Sequence, residues 1–231
     1  MNYLSHQVVA RRAFGASASP DVLCGNLLPD LLPTAGDGRI RTIPDTVLPA
    51  WSAFAQGARL HLETDRRFHG HPEFKRLCQT AGQMLRDAPF MEPPRRVFFV
   101  AHVAVELALD ARALIREPYV ADDLYTALIT CTPARIAQAA SAITNTPAPN
   151  LATSVSRFIA AGFLRSYATP SGLTQALHRV LQRGGLPGFV SNDLPHLDAV
   201  FRALTAQITP VEDELWTPPS HEFSVSPTQT A

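Results

Sequence analysis

The amino-acid sequence predicts an all-α protein, and three observations support this prediction. Apolar residues recur at intervals of three and four along most of the chain, which is the interval that helices show. No stretch has the sustained alternation of apolar and polar residues that predicts a strand. Most of the 20 prolines fall between the apolar runs, where helices begin or end.

The predicted helices follow one another with short connections. We expect Asp45 to cap the start of the third helix and the pair Gly184-Gly185 to end the ninth. The segment 33–44 is rich in glycine and proline and is predicted to be a loop. The expected helices cover residues 2–14, 20–32, 46–69, 72–86, 94–116, 120–130, 133–144, 150–167, 170–183 and 194–215.

Composition excludes several functional classes. The chain is 46% hydrophobic and 17% charged with zero net charge, which is the profile of a soluble globular protein, whereas general nucleic-acid binders are usually basic. Its three cysteines form no CxxC pair and no disulfide framework, so we expect reduced thiols in a cytoplasmic protein. The N-terminal residues lack the basic start and apolar run of a secretory signal. We therefore predict a cytoplasmic protein without a nucleic-acid partner.

The most apolar stretch, residues 97–115, is predicted to be a buried helix. Its ionisable residues, among them His102, Glu106 and Asp110, argue against a lipid-exposed span. We therefore expect no membrane partner.

The third predicted helix carries a polar pair on its apolar stripe. His61 and Asp65 lie four residues apart, so their side chains can reach one common point. They interrupt a stripe that should be buried, because its residues follow one another at intervals of three and four: Trp51, Phe54, Ala58, His61, Asp65 and Phe68.

The helix over residues 94–116 repeats this arrangement. His102 and Glu106 interrupt a stripe that continues with Phe99, Leu109 and Ala113. A buried carboxylate is unfavourable unless it is paired or binds a metal. Two helices that each offer a histidine and a carboxylate are typical of helical metal proteins, and such ligands suit Mn, Fe or Zn. The alternative interpretation of each pair is a buried hydrogen-bonded contact without metal.

Other polar residues extend the predicted site. His6 and Asp30 lie in helices that are expected to be buried, and we include them as further metal ligands. His69 and His71 flank Gly70 at the end of the long helix, where they could contact substrate or form a polar helix end. Arg59 could bind an anion near the metal or face solvent.

The predicted ligands divide the chain near residue 118. Residues 1–118 are expected to form a metal-binding helical core, because the polar constellation lies almost wholly within them. Residues 119–216 are predicted to be accessory helices that complete the same domain or pack closely on it. Residues 217–231 have little to bury, so we predict a disordered tail.

Short motifs in the first half resemble those of the bacterial acyl carrier protein phosphodiesterases. The motifs are "MNYLSH" at the start, "GNLLPD" at residues 25–30, "GxxLHxxxD" at residues 57–65 and "HP" at residues 71–72. The resemblance covers about residues 1–116 and implies an HD-domain-like helical bundle, here with additional C-terminal helices. It implies a hydrolase that uses a divalent metal, usually Mn, to remove the phosphopantetheine arm of acyl carrier protein. The matching positions are His6, Asn26, Asp30, His61, Asp65 and His71.

The chain departs from the family pattern at two places. Phe68 and His69 stand where the family has a Thr-Asp pair, and Leu107 stands where a histidine follows two carboxylates. We therefore expect a metal-dependent phosphohydrolase with a phosphoester substrate, which the resemblance extends to acyl carrier protein. The catalytic residues would be His69, His71 and Asp65, the metal ligands His61, Asp65, His102, Glu106, His6 and Asp30, and the substrate contacts Asn26 and Arg59.

Two other functional classes fit the same residues. One is a non-catalytic helical protein that keeps a buried network of histidines and carboxylates. The other is a helical oxygenase in which histidines and carboxylates hold iron.

Overall fold

The computed structural model describes residues 1–15 and 18–219, and helices without any strand make up the regular structure of that part of the chain, which confirms the all-α class. Short 3-10 turns cover Pro49–Trp51, Phe163–Ala168 and Ser191–Asp193. The α-helices are α1 (Tyr3–Phe14), α2 (Pro20–Ala35), α3 (Ser52–Gly70), α4 (Pro72–Asp87), α5 (Val97–Arg116), α6 (Val120–Cys131), α7 (Pro133–Thr144), α8 (Leu151–Ala161), α9 (Pro170–Arg183), α10 (Leu194–Ile208) and α11 (Glu212–Leu215).

The third helix begins later than predicted, and Asp45 does not cap it. Leu48 has an extended backbone because it precedes Pro49, and a residue before proline avoids the α conformation. A 3-10 turn follows, so α3 starts only at Ser52. The predicted end of the ninth helix is confirmed, since α9 stops at Arg183 and Gly184 follows as its cap.

Two long predicted helices are each divided in the structure. The helix expected over 150–167 ends at Ala161, where Gly162 adopts a left-handed backbone (φ 55°), and a 3-10 turn continues the chain. The helix expected over 194–215 ends at Ile208, and α11 follows separately. Conversely, α2 runs to Ala35, three residues into the segment predicted as a loop, although it contains Pro29 and Pro33.

No helix among the described residues has both the length and the apolar character that a bilayer crossing needs. The tail that was predicted to be disordered begins at residue 217. Residues 217–219 follow α11 without regular structure, and residues 220–231 lie outside the described part of the chain.

The chain forms two compact units, each built from separate stretches of sequence. Of the described residues, unit 1 contains 1–5, 68–121 and 163–216, and unit 2 contains 6–67, 122–162 and 217–219. Three of the boundaries fall within α1, α3 and α6, and the other two follow Gly162 and Trp216. The expected division at residue 118 stays a prediction.

Helix α5 lies at the centre of unit 1, where it packs against α4, α9 and α10. Its buried Asp110 accepts hydrogen bonds from the backbone N–H groups of Leu4 (3.1 Å) and Ser5 (2.8 Å) and from the Ser5 hydroxyl (2.7 Å). Arg112 of the same helix donates to both carboxylate oxygens of buried Glu212 and so fastens α11. Glu106 and His102 lie about one and two turns before Asp110 on the same helix.

Unit 2 is held together by contacts among α2, α3, α7 and α8. The guanidinium group of Arg135, in α7, donates to Asp21 of α2 at 2.6 Å and lies over the rings of Trp51 and Phe54. Asp37, after α2, accepts two hydrogen bonds from Asn150. These contacts give α2 and α3 a fixed frame.

Candidate metal centres

Two groups of histidine and carboxylate side chains could each hold a metal ion. The first, which we call the His6 triad, consists of His6, His61 and Asp65. The second, the His102 triad, consists of His69, His102 and Glu106. In each group the potential ligand atoms lie within 4.8 Å of one another. The His6 triad belongs to unit 2 and the His102 triad to unit 1.

The His6 triad combines two buried imidazoles with a carboxylate that reaches solvent. The rings of His6 and His61 stack with their centroids 3.7 Å apart, and both are almost fully buried. The Asp65 side chain is 35% exposed, and its Oδ1 lies 3.7 Å from Nε2 of His6. Asp30 adds a second, equally exposed carboxylate, 3.8 Å from Nε2 of His61. The predicted ligands His6, His61, Asp65 and Asp30 therefore lie close together in the structure.

Two helical glycines allow α2 and α3 to approach closely enough to build this group. A Cβ atom at Gly57 would lie 2.0 Å from the carbonyl oxygen of Val22, and one at Gly25 would lie 2.1 Å from that of Phe54. Such distances are far inside van der Waals contact, so only glycine fits at either position. The approach brings the backbone of Asn26 next to the side chain of His61.

The contact with Asn26 sets the tautomer of His61. Nδ1 of His61 lies 2.8 Å from the Asn26 carbonyl oxygen, which can only accept a hydrogen bond, so Nδ1 carries the proton. In a neutral ring, the lone pair is then on Nε2, the atom that faces Asp30. A backbone carbonyl that orients the other ring nitrogen is typical of histidines that bind metal. Asn26 also donates from Nδ2 to the His6 carbonyl oxygen (2.8 Å), so it positions both histidines.

The ring of His6 is buried, and the carboxylate of Asp65 lies 3.7 Å from its Nε2, beyond hydrogen-bond distance. Neither Nδ1 nor Nε2 of His6 has a hydrogen-bond partner among the described residues, and Oδ1 of Asn26 and the hydroxyl of Thr64 also have none. Burial, together with the neighbouring His61, lowers the pKa of His6 from 6.5 to about 4. The ring is therefore neutral at pH 7, the form in which imidazole binds metals. Buried polar atoms left unsatisfied in this way fit a group that accepts a ligand.

The atoms of the His102 triad converge more tightly. Nε2 of His69 and Nε2 of His102 lie 3.3 Å apart, and they lie 3.2 and 3.1 Å from Oε1 of Glu106. Ligands held tetrahedrally at about 2.0–2.1 Å from a zinc ion would be about 3.3–3.4 Å apart. The three atoms thus already have nearly the separations of one face of a zinc site.

Glu106 is ionised and already partnered in the His102 triad. Burial acts to raise its pKa, but the α-amino group of Met1 at 2.9 Å and the rings of His102 and His69 hold the pKa of Glu106 well below its usual range. The Phe74 ring packs edge-on against both imidazoles and forms an apolar wall. The histidines themselves are more open, with side-chain exposures of 33% for His69 and 39% for His102.

The remaining predicted residues lie outside both triads. His71 caps α4, because its Nδ1 accepts the backbone N–H of Glu73 (3.2 Å), and its Nε2 faces Glu214 at 3.2 Å. Arg59 donates to the carbonyl oxygen of Pro44 at the surface. The catalytic role expected of His71 and the substrate contacts expected of Asn26 and Arg59 stay predictions.

His69, expected from the sequence to be catalytic, lies with His102 and Glu106 as a third potential ligand. Its interval of four from Asp65 is a local signal for a ligand on α3, but the same interval groups it with His61 and Asp65 and does not indicate its partners on α5. The sequence contains no local signal for the requirement of glycine at 25 and 57. Each requirement arises from the backbone of the other helix, which lies too close to admit a Cβ atom.

Comparisons with protein-family models, with curated proteins and with solved structures find no match to this chain. The fold and the two triads therefore define an all-α protein with two groups of side chains that could bind metal, and any activity must be argued from those groups.

Proposed function

We propose that the protein is a metal-dependent phosphohydrolase of the HD-domain-like type, with the His6 triad and Asp30 as the ligands of a divalent metal. The observation that carries the proposal is the neutral, buried ring of His6, which lies next to His61 and Asp65. Neither of its nitrogens has a hydrogen-bond partner among the described residues. The motif resemblance supports the same residues and favours Mn.

The donor set suits this chemistry. Two neutral imidazoles and two carboxylates balance the charge of a divalent cation with the nitrogen and oxygen ligands that Mn, Fe and Zn accept. When bound, the metal supplies Lewis-acid activation of water and of a phosphoryl oxygen. His61 is held by Asn26 in the tautomer that leaves Nε2 free of a proton, and Asp30 and Asp65, with side chains 33% and 35% exposed, are the members of the group that reach solvent.

The His102 triad is a second candidate metal site in the same proposal. Its ligands would be His69, His102 and Glu106, which the sequence assigned in part. Acyl carrier protein as the substrate and a cytoplasmic location remain parts of the proposal that rest on the motifs and the composition. The two departures from the family pattern fall at the His102 triad: His69 belongs to it, and Phe68 and Leu107 are next to its members in the sequence.

The proposal is tested by hydrolysis of bis-p-nitrophenyl phosphate by protein that has been stripped of metal and reloaded with Mn. We expect turnover, and we expect Asp65→Asn to reduce it about 100-fold or more, because the change removes a charged ligand at nearly constant size. Asp45→Asn is the matched control, since Asp45 is exposed in the loop before α3. If the loaded protein hydrolyses no member of a broad phosphoester panel, the proposal is wrong.

One observation favours a second candidate function. Each triad consists of two histidines and one carboxylate, the ligand set of non-haem iron oxygenases. Iron that copurifies with the protein, together with oxygen consumption that depends on His61 or His102, would support the oxygenase. A bound metal with neither activity would support the non-catalytic alternative.

A further inference from the structure

A cavity of about 430 Å³ lies in unit 2, and no residue of either triad lines it. Its walls are the loop that follows α2 and the C-terminal end of α7. Leu32, Ile40 and Ile143 lie beneath its surface and are buried, exposed Pro44 contributes to its small apolar part, and Arg39 and Arg41 provide a charged part. The cavity therefore combines a small apolar surface with two cations.

The two arginines are available to a ligand. Arg39 and Arg41 are exposed on either side of buried Ile40, and within residues 1–15 and 18–219 neither takes part in an ion pair or a hydrogen bond. The acidic residue of the lining is Asp37. Its two carboxylate oxygens accept hydrogen bonds from the backbone N–H (2.9 Å) and the side-chain amide (2.8 Å) of Asn150. The lining thus has a net positive charge.

The loop that carries the arginines is fastened at both ends. At its start, Gly36 adopts a left-handed backbone (φ 79°) that ends α2, and Asp37 is held by Asn150. At its end, the guanidinium group of Arg59 donates to the carbonyl oxygen of Pro44. A ligand would therefore meet a formed site, and little loop ordering would oppose its binding.

We propose that this cavity binds a small organic phosphate monoester, with the phosphate between Arg39 and Arg41 and the apolar remainder against the small apolar surface at Pro44. A phosphate monoester offers three strong acceptor oxygens and close to two negative charges, so it can serve two guanidinium groups at once. A carboxylate has one charge and two oxygens, and it satisfies two arginines less well. The inference goes beyond the proposed hydrolysis, because binding here involves neither triad.

Calorimetric titration of EDTA-treated protein tests the proposal without a contribution from metal. The probes are hexyl phosphate, ethyl phosphate, inorganic phosphate and hexanoate. We expect hexyl phosphate to bind at least about 10-fold more tightly than either inorganic phosphate or hexanoate, because only it uses both parts of the cavity. Ethyl phosphate should fall between hexyl phosphate and inorganic phosphate. Equal binding of hexanoate and hexyl phosphate would overturn the assignment to phosphate.

Variants locate the binding. Arg39→Ala and Arg41→Ala should each weaken hexyl phosphate binding about 10-fold. Arg157→Ala is the matched control, because Arg157 is exposed on α8 of the same unit and does not line the cavity. The proposal is wrong if both variants bind hexyl phosphate as tightly as Arg157→Ala does, or if the wild-type protein does not bind it. These outcomes are independent of phosphodiesterase activity, which needs metal-loaded protein.

Discussion

The His6 triad and the His102 triad contain the same kinds of side chain, but their hydrogen bonding differs. In the His6 triad, the fully buried imidazole of His6 has no hydrogen-bond partner among the described residues, and Oδ1 of Asp65 lies 3.7 Å from its Nε2. In the His102 triad, both imidazoles and the α-amino group of Met1 lie within 3.2 Å of one oxygen of Glu106. The first group contains an imidazole, that of His6, without a hydrogen-bond partner among the described residues, whereas the second already forms a charged network.

This difference indicates how each group would respond to a metal. A cation at the His6 triad would satisfy buried atoms that otherwise have no partner, so binding would remove an unfavourable feature of the metal-free fold. A cation at the His102 triad would have to replace hydrogen bonds that Glu106 already accepts. We therefore expect tighter metal binding at the His6 triad, although the atoms of the His102 triad are closer to their final separations.

The largest expected effect is on metal affinity. His61→Ala should weaken binding of the tightest Mn ion about 100-fold or more, because it removes a ligand whose ring is held in place by Asn26. His102→Ala should leave that affinity nearly unchanged. Calorimetric titration of Mn into metal-free variants measures both, and a larger loss in His102→Ala would reverse the order of the two triads.

The close approach of α2 and α3 gives the second prediction. Gly57→Ala should lower the free energy of unfolding by about 3 kcal/mol, because the new methyl group would meet the Val22 carbonyl oxygen. It should also weaken Mn binding, since Asn26 and His61 would move apart. Urea unfolding gives the stability.

Gly82→Ala is the matched control for that variant. Gly82 lies inside α4, and an added Cβ atom there would meet no neighbour closer than 3.7 Å. The change should raise stability by up to about 1 kcal/mol, because alanine favours helices over glycine. Equal stabilities for the two variants would show that α2 and α3 do not approach as described.

The third prediction concerns pH and separates the two triads. In metal-free protein, the contribution of His6 to the free energy of unfolding should fall by about 3 kcal/mol as the pH drops from 6.5 to about 4. Burial raises the pKa of Asp110 to about 7, so Asp110 acts in the opposite direction over the same range, and the His6 contribution is measured as the difference between the wild type and His6→Gln. The pKa of His6 is lower in the folded state, so within this window the unfolded chain binds a proton that the folded chain does not. Glu106, whose folded pKa is also lowered, stabilises the fold above its ordinary range near 4.5 and loses that contribution only at lower pH.

Two variants assign these pH windows. Between pH 6.5 and 4, His6→Gln should lose about 3 kcal/mol less stability than the wild type, and Glu106→Gln should change the profile only at lower pH. Chemical unfolding at a series of pH values measures both profiles. An unchanged slope between pH 6.5 and 4 in His6→Gln would contradict the assignment.

The smallest expected effect is at His71. His71→Asn should cost less than about 1 kcal/mol of stability, because asparagine also caps helices and the lost contact with Glu214 is exposed. Phosphodiesterase activity should persist, since His71 belongs to neither triad. A loss of activity comparable to that of Asp65→Asn, with the fold intact, would instead establish the catalytic role that the sequence suggested.

The sequence predicted the parts of this molecule that depend on local periodicity. His61 with Asp65 and His102 with Glu106 were recognised because each pair interrupts an apolar stripe on its own helix. The start of α3 was placed too early, because the restriction that Pro49 imposes on Leu48 was not applied. The grouping of the residues into two triads, and the need for glycine at 25 and 57, depend on contacts between distant segments, which a single sequence does not encode locally.

Metal content is the most direct test of the central claim that these side chains bind metal. Protein purified after growth with added Mn, dialysed and analysed for all divalent metals, should contain at least one metal ion per chain. We expect His61→Ala to contain less, and His61→Ala combined with His102→Ala to contain none while keeping a helical circular dichroism spectrum. Unchanged metal content in the double variant, or a wild-type protein that binds no metal under any condition, would contradict the claim.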